Sequence, residues 1–192
     1  MKRNGELRGD VCSTGSTVNP CWKNIWGLKV SPRVKSFIWK CVNNILPTKD
    51  RLRRRGVLVN SNYVLCKNAS ENLLHLFLHC PFSCRMWFST PLNMCTTGYP
   101  WASFKEWWAH MSTQFHTLGC PENLDSVACV LWYLWKYRNG VVFGDEVLDG
   151  EKIWQTGYLL DANYKSACSK PQTSTLQQQG RTSESWLKPI QE

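Results

Sequence analysis

Three residues do most to limit what this chain can fold into. Cys66, His75 and Cys80 are spaced C-x8-H-x4-C within CKNASENLLHLFLHC. Two short loops that deliver thiolate and imidazole donors to one point are what a tetrahedral zinc site of the knuckle type requires. A structural zinc takes four protein ligands. The usual place for the remaining thiolate is three residues before Cys66, and that position is Tyr63, a poor zinc ligand. Cys84 is the preferred fourth ligand, because it lies one helical turn beyond Cys80. His79 is an alternative on another side of its turn. In the opposing reading the site has decayed, and Cys66, His75 and Cys80 pack as ordinary side chains.

The chain has 192 residues, enough for one ordinary domain or two small ones. At 43% hydrophobic it has the means to bury a core, and its eleven Trp are expected as core anchors. The net charge of +9 is concentrated. Residues 1–60 carry 13 Lys/Arg against 3 Asp/Glu, whereas the rest of the chain nets −1. A basic first third favours a polyanionic partner, RNA or DNA, over a small-molecule substrate; the plain alternative is a solvated basic face. The start, MKRNGELRGD, has no apolar stretch behind its charges, so no secretory signal is visible. The longest apolar run, Val127 to Trp135, is nine residues, against the roughly 20 that a bilayer span needs. An intracellular, non-membrane protein is expected, with the nucleus as one address. In that reducing setting the ten cysteines are free thiols or metal ligands.

The periodicity predicts a mainly α fold: a small helical zinc-knuckle-type module, then a helical bundle or connector, between disordered termini. The expected divisions are a disordered segment over 1–18, the knuckle module over 19–92, the connector over 93–168 and a disordered tail over 169–192. Trp22, Ile25, Trp26 and Leu28 open the ordered part. Ser31-Pro32 starts a helix with Val34, Phe37, Ile38 and Cys41 on one face, and Pro47 stops it. Thr48 caps a short helix that Gly56 closes. On it Arg51, Arg54 and Arg55 share a face, with Lys49 at its start. These four are the candidate phosphate contacts; a weak nuclear-import patch is another reading. Leu73 to His79 presents His75, and Cys80-Pro81 opens a helix with Met86 and Trp87 inward. Phe104 to Phe115 is amphipathic. Asp125 to Arg138 is apolar nearly all round, as a buried central helix is, with Asn139-Gly140 as its cap. Glu151 to Cys168 forms the last helix.

FIWKCVNNILPTKDRLRRRGV, followed by LCKNASENLLHLFLHCPFSCRMW, closely resembles the zinc-binding region that follows the reverse transcriptase in plant non-LTR retrotransposon polyproteins. Trp22, Trp26, Leu46-Pro47-Thr48-Lys49, Leu52 to Gly56, Cys66, His75-Leu76-Phe77, Cys80-Pro81 and Trp87 fall in that family's order and spacing. The likeness is weaker beyond residue 90. LWYLWKYRNGVVF resembles the helical connector to a ribonuclease H domain, and Ser185 to Lys188 resembles that domain's first strand. The resemblance implies a zinc-binding, nucleic-acid-contacting module in a truncated copy. The family's own first cysteine falls at Tyr63.

No polymerase Tyr-x-Asp-Asp motif occurs, nor the set of carboxylates that metal-dependent phosphodiester cleavage requires. The expected role is therefore a non-catalytic binding module. Its rival is a decayed remnant with no retained activity.

Overall fold

The computed structural model describes residues 20–98, 100–144 and 152–169. The termini expected to be disordered and the strand-like Ser185–Lys188 lie outside the described residues, except Ser169, which is the last residue of a helix. What is described is helical, with no β-strand and one isolated antiparallel bridge, Asn62 to Ser70.

Seven α-helices follow in order: α1 (Pro20–Gly27), α2 (Pro32–Val42), α3 (Lys49–Arg54), α4 (Pro81–Ser89), α5 (Phe104–Thr117), α6 (Asn123–Phe143) and α7 (Ile153–Ser169). A π-helical turn, His75–His79, precedes α4. Ser31 precedes α2 with Pro32 in its first turn, and Val34, Phe37, Ile38 and Cys41 are buried. The helix ends well before Pro47, because Asn44 turns into the left-handed region at φ 52°. Thr48 caps α3, accepting from the Arg51 N–H, and Gly56 follows at φ 83°. α6 runs past Asn139-Gly140 and ends only at Gly144, whose φ of 75° breaks the helix. The backbone stays helical through Phe143, and the Gly144 N–H donates to Gly140 O, so the Asn-Gly pair is not the stop.

α6 is the hub. Leu124 through Leu131 are all buried, and the helix packs on α2, α5 and α7. Burial of each large apolar side chain contributes about 1.5–3 kcal/mol. The core runs without a break from the knuckle region into the later helices. Phe37 meets Phe77 and Trp132 edge-on, Phe77 meets Phe104, and Phe82 stacks on Tyr137 at 5.4 Å. α7 packs tightly on α6 at Gly157, where an added Cβ would sit 2.9 Å from Val130 Cα. A polar tie reinforces this crossing. Lys165 reaches Asp161 at 2.9 Å and Asp125 at 3.4 Å, Ser126 donates to Asp161, and the Lys29 N–H donates to Asp125. No helix among the described residues is long and apolar enough to cross a membrane.

Candidate metal centre

The loop from Ser61 to Glu71 is folded by its own backbone. The Glu71 N–H donates to Ser61 O, Tyr63 N–H to Ala69 O, and Lys67 N–H to Tyr63 O, each at 2.8 Å. Lys67 takes φ 59° to close the turn. Cys66 sits at the tip. On the opposing side, the Asn72 side chain accepts from the His75 N–H at 2.9 Å. The π turn then bonds the Cys80 N–H to His75 O at 2.8 Å. The wider turn brings Cys80 back beneath His75, as such bulges often do at functional sites.

The donor atoms of Cys66, His75 and Cys80 all lie within 4.8 Å of one another, and Cys66 Sγ is 3.1 Å from His75 Nε2. Donors bound to one zinc ion at roughly 2.0–2.3 Å stand about 3.5 Å apart. Two thiols and an imidazole at this spacing therefore fit one ion after small shifts, the Cys66–His75 pair opening slightly and the longer separations closing. Burial, with His79 nearby, lowers the pKa of His75 and favours the neutral ring that ligates metals. Burial holds the Cys80 thiol at about 11, against the N–H groups of Phe82 and Ser83 and with the neighbouring Cys66 adding to the rise. A divalent cation reverses that balance, because a coordinating thiol is deprotonated outright.

Cys84 is not the fourth corner in this arrangement. Its thiol donates to Leu78 O at 3.0 Å and accepts from Thr96 Oγ1 at 3.5 Å. The reason lies in Cys80, which is the residue before α4 and has extended dihedrals (φ −64°, ψ 134°). The neighbour relation at four residues holds between two helical side chains; with Cys80 outside the helix, its sulfur and that of Cys84 diverge. His79 is exposed and stands outside the cluster.

Tyr63 is buried completely, with its ring edge-on to His75 at 5.5 Å. Its hydroxyl is buried and has no hydrogen-bond partner. Burial, and then the charges of Cys80 and Glu71, push the phenol far above its ordinary pKa. The residue is a neutral ring that packs the site, with an orphaned polar atom.

The basic helix α3 lies beside this loop and buries no residue of its own. Its four candidates are not equivalent. Arg55 is exposed and has no side-chain partner among the described residues. Arg54 is spent on Asp50 at 3.0 Å. Arg51 is half-buried, with Nε shielded and unpaired. Lys49 gives its ammonium to Asn62 O at 2.8 Å. Arg53, which is not among those four, is exposed and without a side-chain partner among the described residues. In a six-residue helix that buries nothing, no face is the inner one.

Sequence reasoning also missed Glu71 and Arg138. Both are almost wholly buried, and Arg138 donates to both Glu71 oxygens through Nε and its terminal nitrogen. The pair stands 67 residues apart in the chain, so no local pattern could have joined them.

Residues 10–87 match the family model described as zinc-binding in reverse transcriptase. The chain is also similar to the "Putative ribonuclease H protein At1g65750" of Arabidopsis thaliana, at 26% identity over 135 residues. That alignment takes in 67% of this chain and 21% of the relative, so the chain spans about a fifth of that protein's length. No solved structure matches the chain. The knuckle loop, the three convergent donors and the family match coincide in one stretch of sequence: over residues 10–87 the chain is similar to the family described as zinc-binding in reverse transcriptase.

Proposed function

We propose that this is a non-catalytic, retrotransposon-derived module that holds zinc through Cys66, His75 and Cys80 and contacts RNA or DNA through α3. The observation that carries the reading is the juxtaposition of the donor cluster with a basic helix that contributes nothing to the core. When bound, zinc supplies a cross-link between the loop tip and the π turn. The chain's own residues do the rest. Arg53 and Arg55 project two free guanidinium groups, each able to contact a phosphate. Glu71, at the base of the loop that carries Cys66, is taken by Arg138. The donor set therefore suits a structural ion and not phosphodiester cleavage. An intracellular, nuclear setting accords with thiolate ligands and a polyanionic partner.

A second reading, a decayed remnant, is favoured by one observation: Tyr63 stands at the family's thiolate position and offers there only a buried hydroxyl without a hydrogen-bond partner. Oligonucleotide titration across a salt series separates the two. Each phosphate contact adds about 0.7–0.9 to the log–log salt slope, so changing Arg53 and Arg55 together to Ala should flatten it by about 1.5. Binding absent at moderate salt, or a slope indifferent to both arginines, returns the remnant.

A further inference from the structure

The basic helix is hung from the metal loop. α3 buries no side chain, so packing does not fix it. Besides its Thr48 cap, its first turn is held by three hydrogen bonds to the knuckle segment. The Lys49 N–H donates to Glu71 Oε1 at 3.0 Å, the Asp50 N–H to Glu71 O at 3.1 Å, and Lys49 Nζ to Asn62 O at 2.8 Å. Asn62 and Glu71 flank the loop that carries Cys66, and they are tied across its base by the Asn62–Ser70 bridge and the Ser61–Glu71 backbone bond. Glu71 is in turn clamped by Arg138 of α6, whose guanidinium lies 5.0 Å from the Trp135 ring. The carboxylate therefore joins three things: the loop that carries Cys66, the N-terminus of the arginine helix, and the central helix of the fold.

We propose that Glu71 is a positioning residue that couples the two sites, so that metal at Cys66, His75 and Cys80 and a nucleic acid on α3 each strengthen binding of the other. This rests on the function proposed above. The physical sequence is short. An ion across Cys66, His75 and Cys80 pins the loop tip to the π turn. A pinned loop holds the Asn62 and Glu71 acceptors in place. Fixed acceptors keep α3 in one orientation, so Arg53 and Arg55 pay less ordering entropy when they meet phosphates. Without the ion, loop and helix fluctuate together, and the arginines act as a diffuse charge. Such a coupling must be reciprocal, and couplings of this kind typically amount to about 5–150-fold in affinity.

The test uses the full chain, zinc and a short fluorescent oligouridylate. Wild type should bind the oligonucleotide at least about fivefold more tightly with zinc than with chelator, and saturating oligonucleotide should tighten zinc by the same factor. The double variant Glu71→Leu/Arg138→Met removes both charges together, which avoids leaving one of them buried alone. It keeps all three zinc donors and should bind both ligands with the zinc dependence gone. Lys49→Ala, which leaves the Glu71–Arg138 pair intact, should reduce the dependence; it decides the matter if circular dichroism finds the double variant unfolded. Equal oligonucleotide affinity with and without zinc overturns the coupling while the proposed function stands. Zinc dependence that persists through Lys49→Ala and a folded double variant overturns the role of this tether. No binding of oligonucleotide under either condition overturns the function on which the coupling rests.

Discussion

Tyr63→Phe should make this protein more stable and leave its zinc affinity unchanged. Tyr63 is completely buried, and its hydroxyl has no partner. A buried hydroxyl without a hydrogen bond carries a desolvation penalty of about 1–3 kcal/mol. Phenylalanine removes the oxygen and keeps the ring that packs edge-on against His75. The small void left by one atom offsets part of the gain, so a net stabilisation of about 1 kcal/mol is expected. For a domain of this size that corresponds to a rise in Tm of about 2–4 °C. Tyr63→Cys is the informative contrast. It restores the family's thiolate but deletes a buried aromatic ring, a loss of about 3–5 kcal/mol for comparable truncations. Full structural zinc sites bind with about 10–16 kcal/mol, or roughly 3 per ligand. The cysteine variant should therefore be clearly less stable in chelator and close to wild type in saturating zinc. Thermal and urea unfolding with and without zinc, together with competition against a chromophoric chelator, read all four numbers. A weaker zinc affinity in Tyr63→Phe would show that the phenol oxygen is a ligand. A loss of stability in chelator would show that the hydroxyl has a partner, and either outcome refutes the account of Tyr63 as an orphan that packs the site.

Two further outcomes follow from the geometry. Gly157→Ala should destabilise the protein by about 1–2 kcal/mol in urea unfolding: the new Cβ would meet Val130 backbone at 2.9–3.0 Å, and overpacking of about 1–3 kcal/mol exceeds the roughly 1 kcal/mol that alanine gains in a helix. Unchanged or raised stability would mean that α7 does not cross α6 at this point. Cys84→Ser should keep one zinc per chain at wild-type affinity, because the hydroxyl can still donate to Leu78 O as the thiol does; Cys66→Ser and Cys80→Ser should each lose the metal. Loss of zinc in Cys84→Ser would mean that its sulfur turns inward when the ion binds.

What the sequence disclosed and what it withheld divide along the range of the forces involved. Ser31-Pro32, Thr48 and the spacing of Val34, Phe37, Ile38 and Cys41 are local signals, and the helices they announce are present. The convergence of Cys66, His75 and Cys80 was also legible, since a family's ligand spacing encodes one compact loop and one turn. Cys84 was misplaced by a single residue's conformation: a helix that begins at Pro81 leaves Cys80 extended, and the four-residue rule does not cross that boundary. The end of α6 was misplaced for the converse reason. Asn139-Gly140 has the composition of a stop, but α6 is held by its packing against neighbouring helices and continues to Phe143. Helical spacing separates the arginines by face alone, and a face acquires meaning only from what lies opposite it. For α3 that is the Glu71 carboxylate and the Asn62 carbonyl, which engage its first turn and leave Arg53 and Arg55 free. Glu71 itself carried no signal. One acidic residue in a polar loop is ordinarily a solvated charge, and only the fold, by bringing Arg138 of α6 against it, turns that charge into the link between the loop that carries Cys66 and a basic helix.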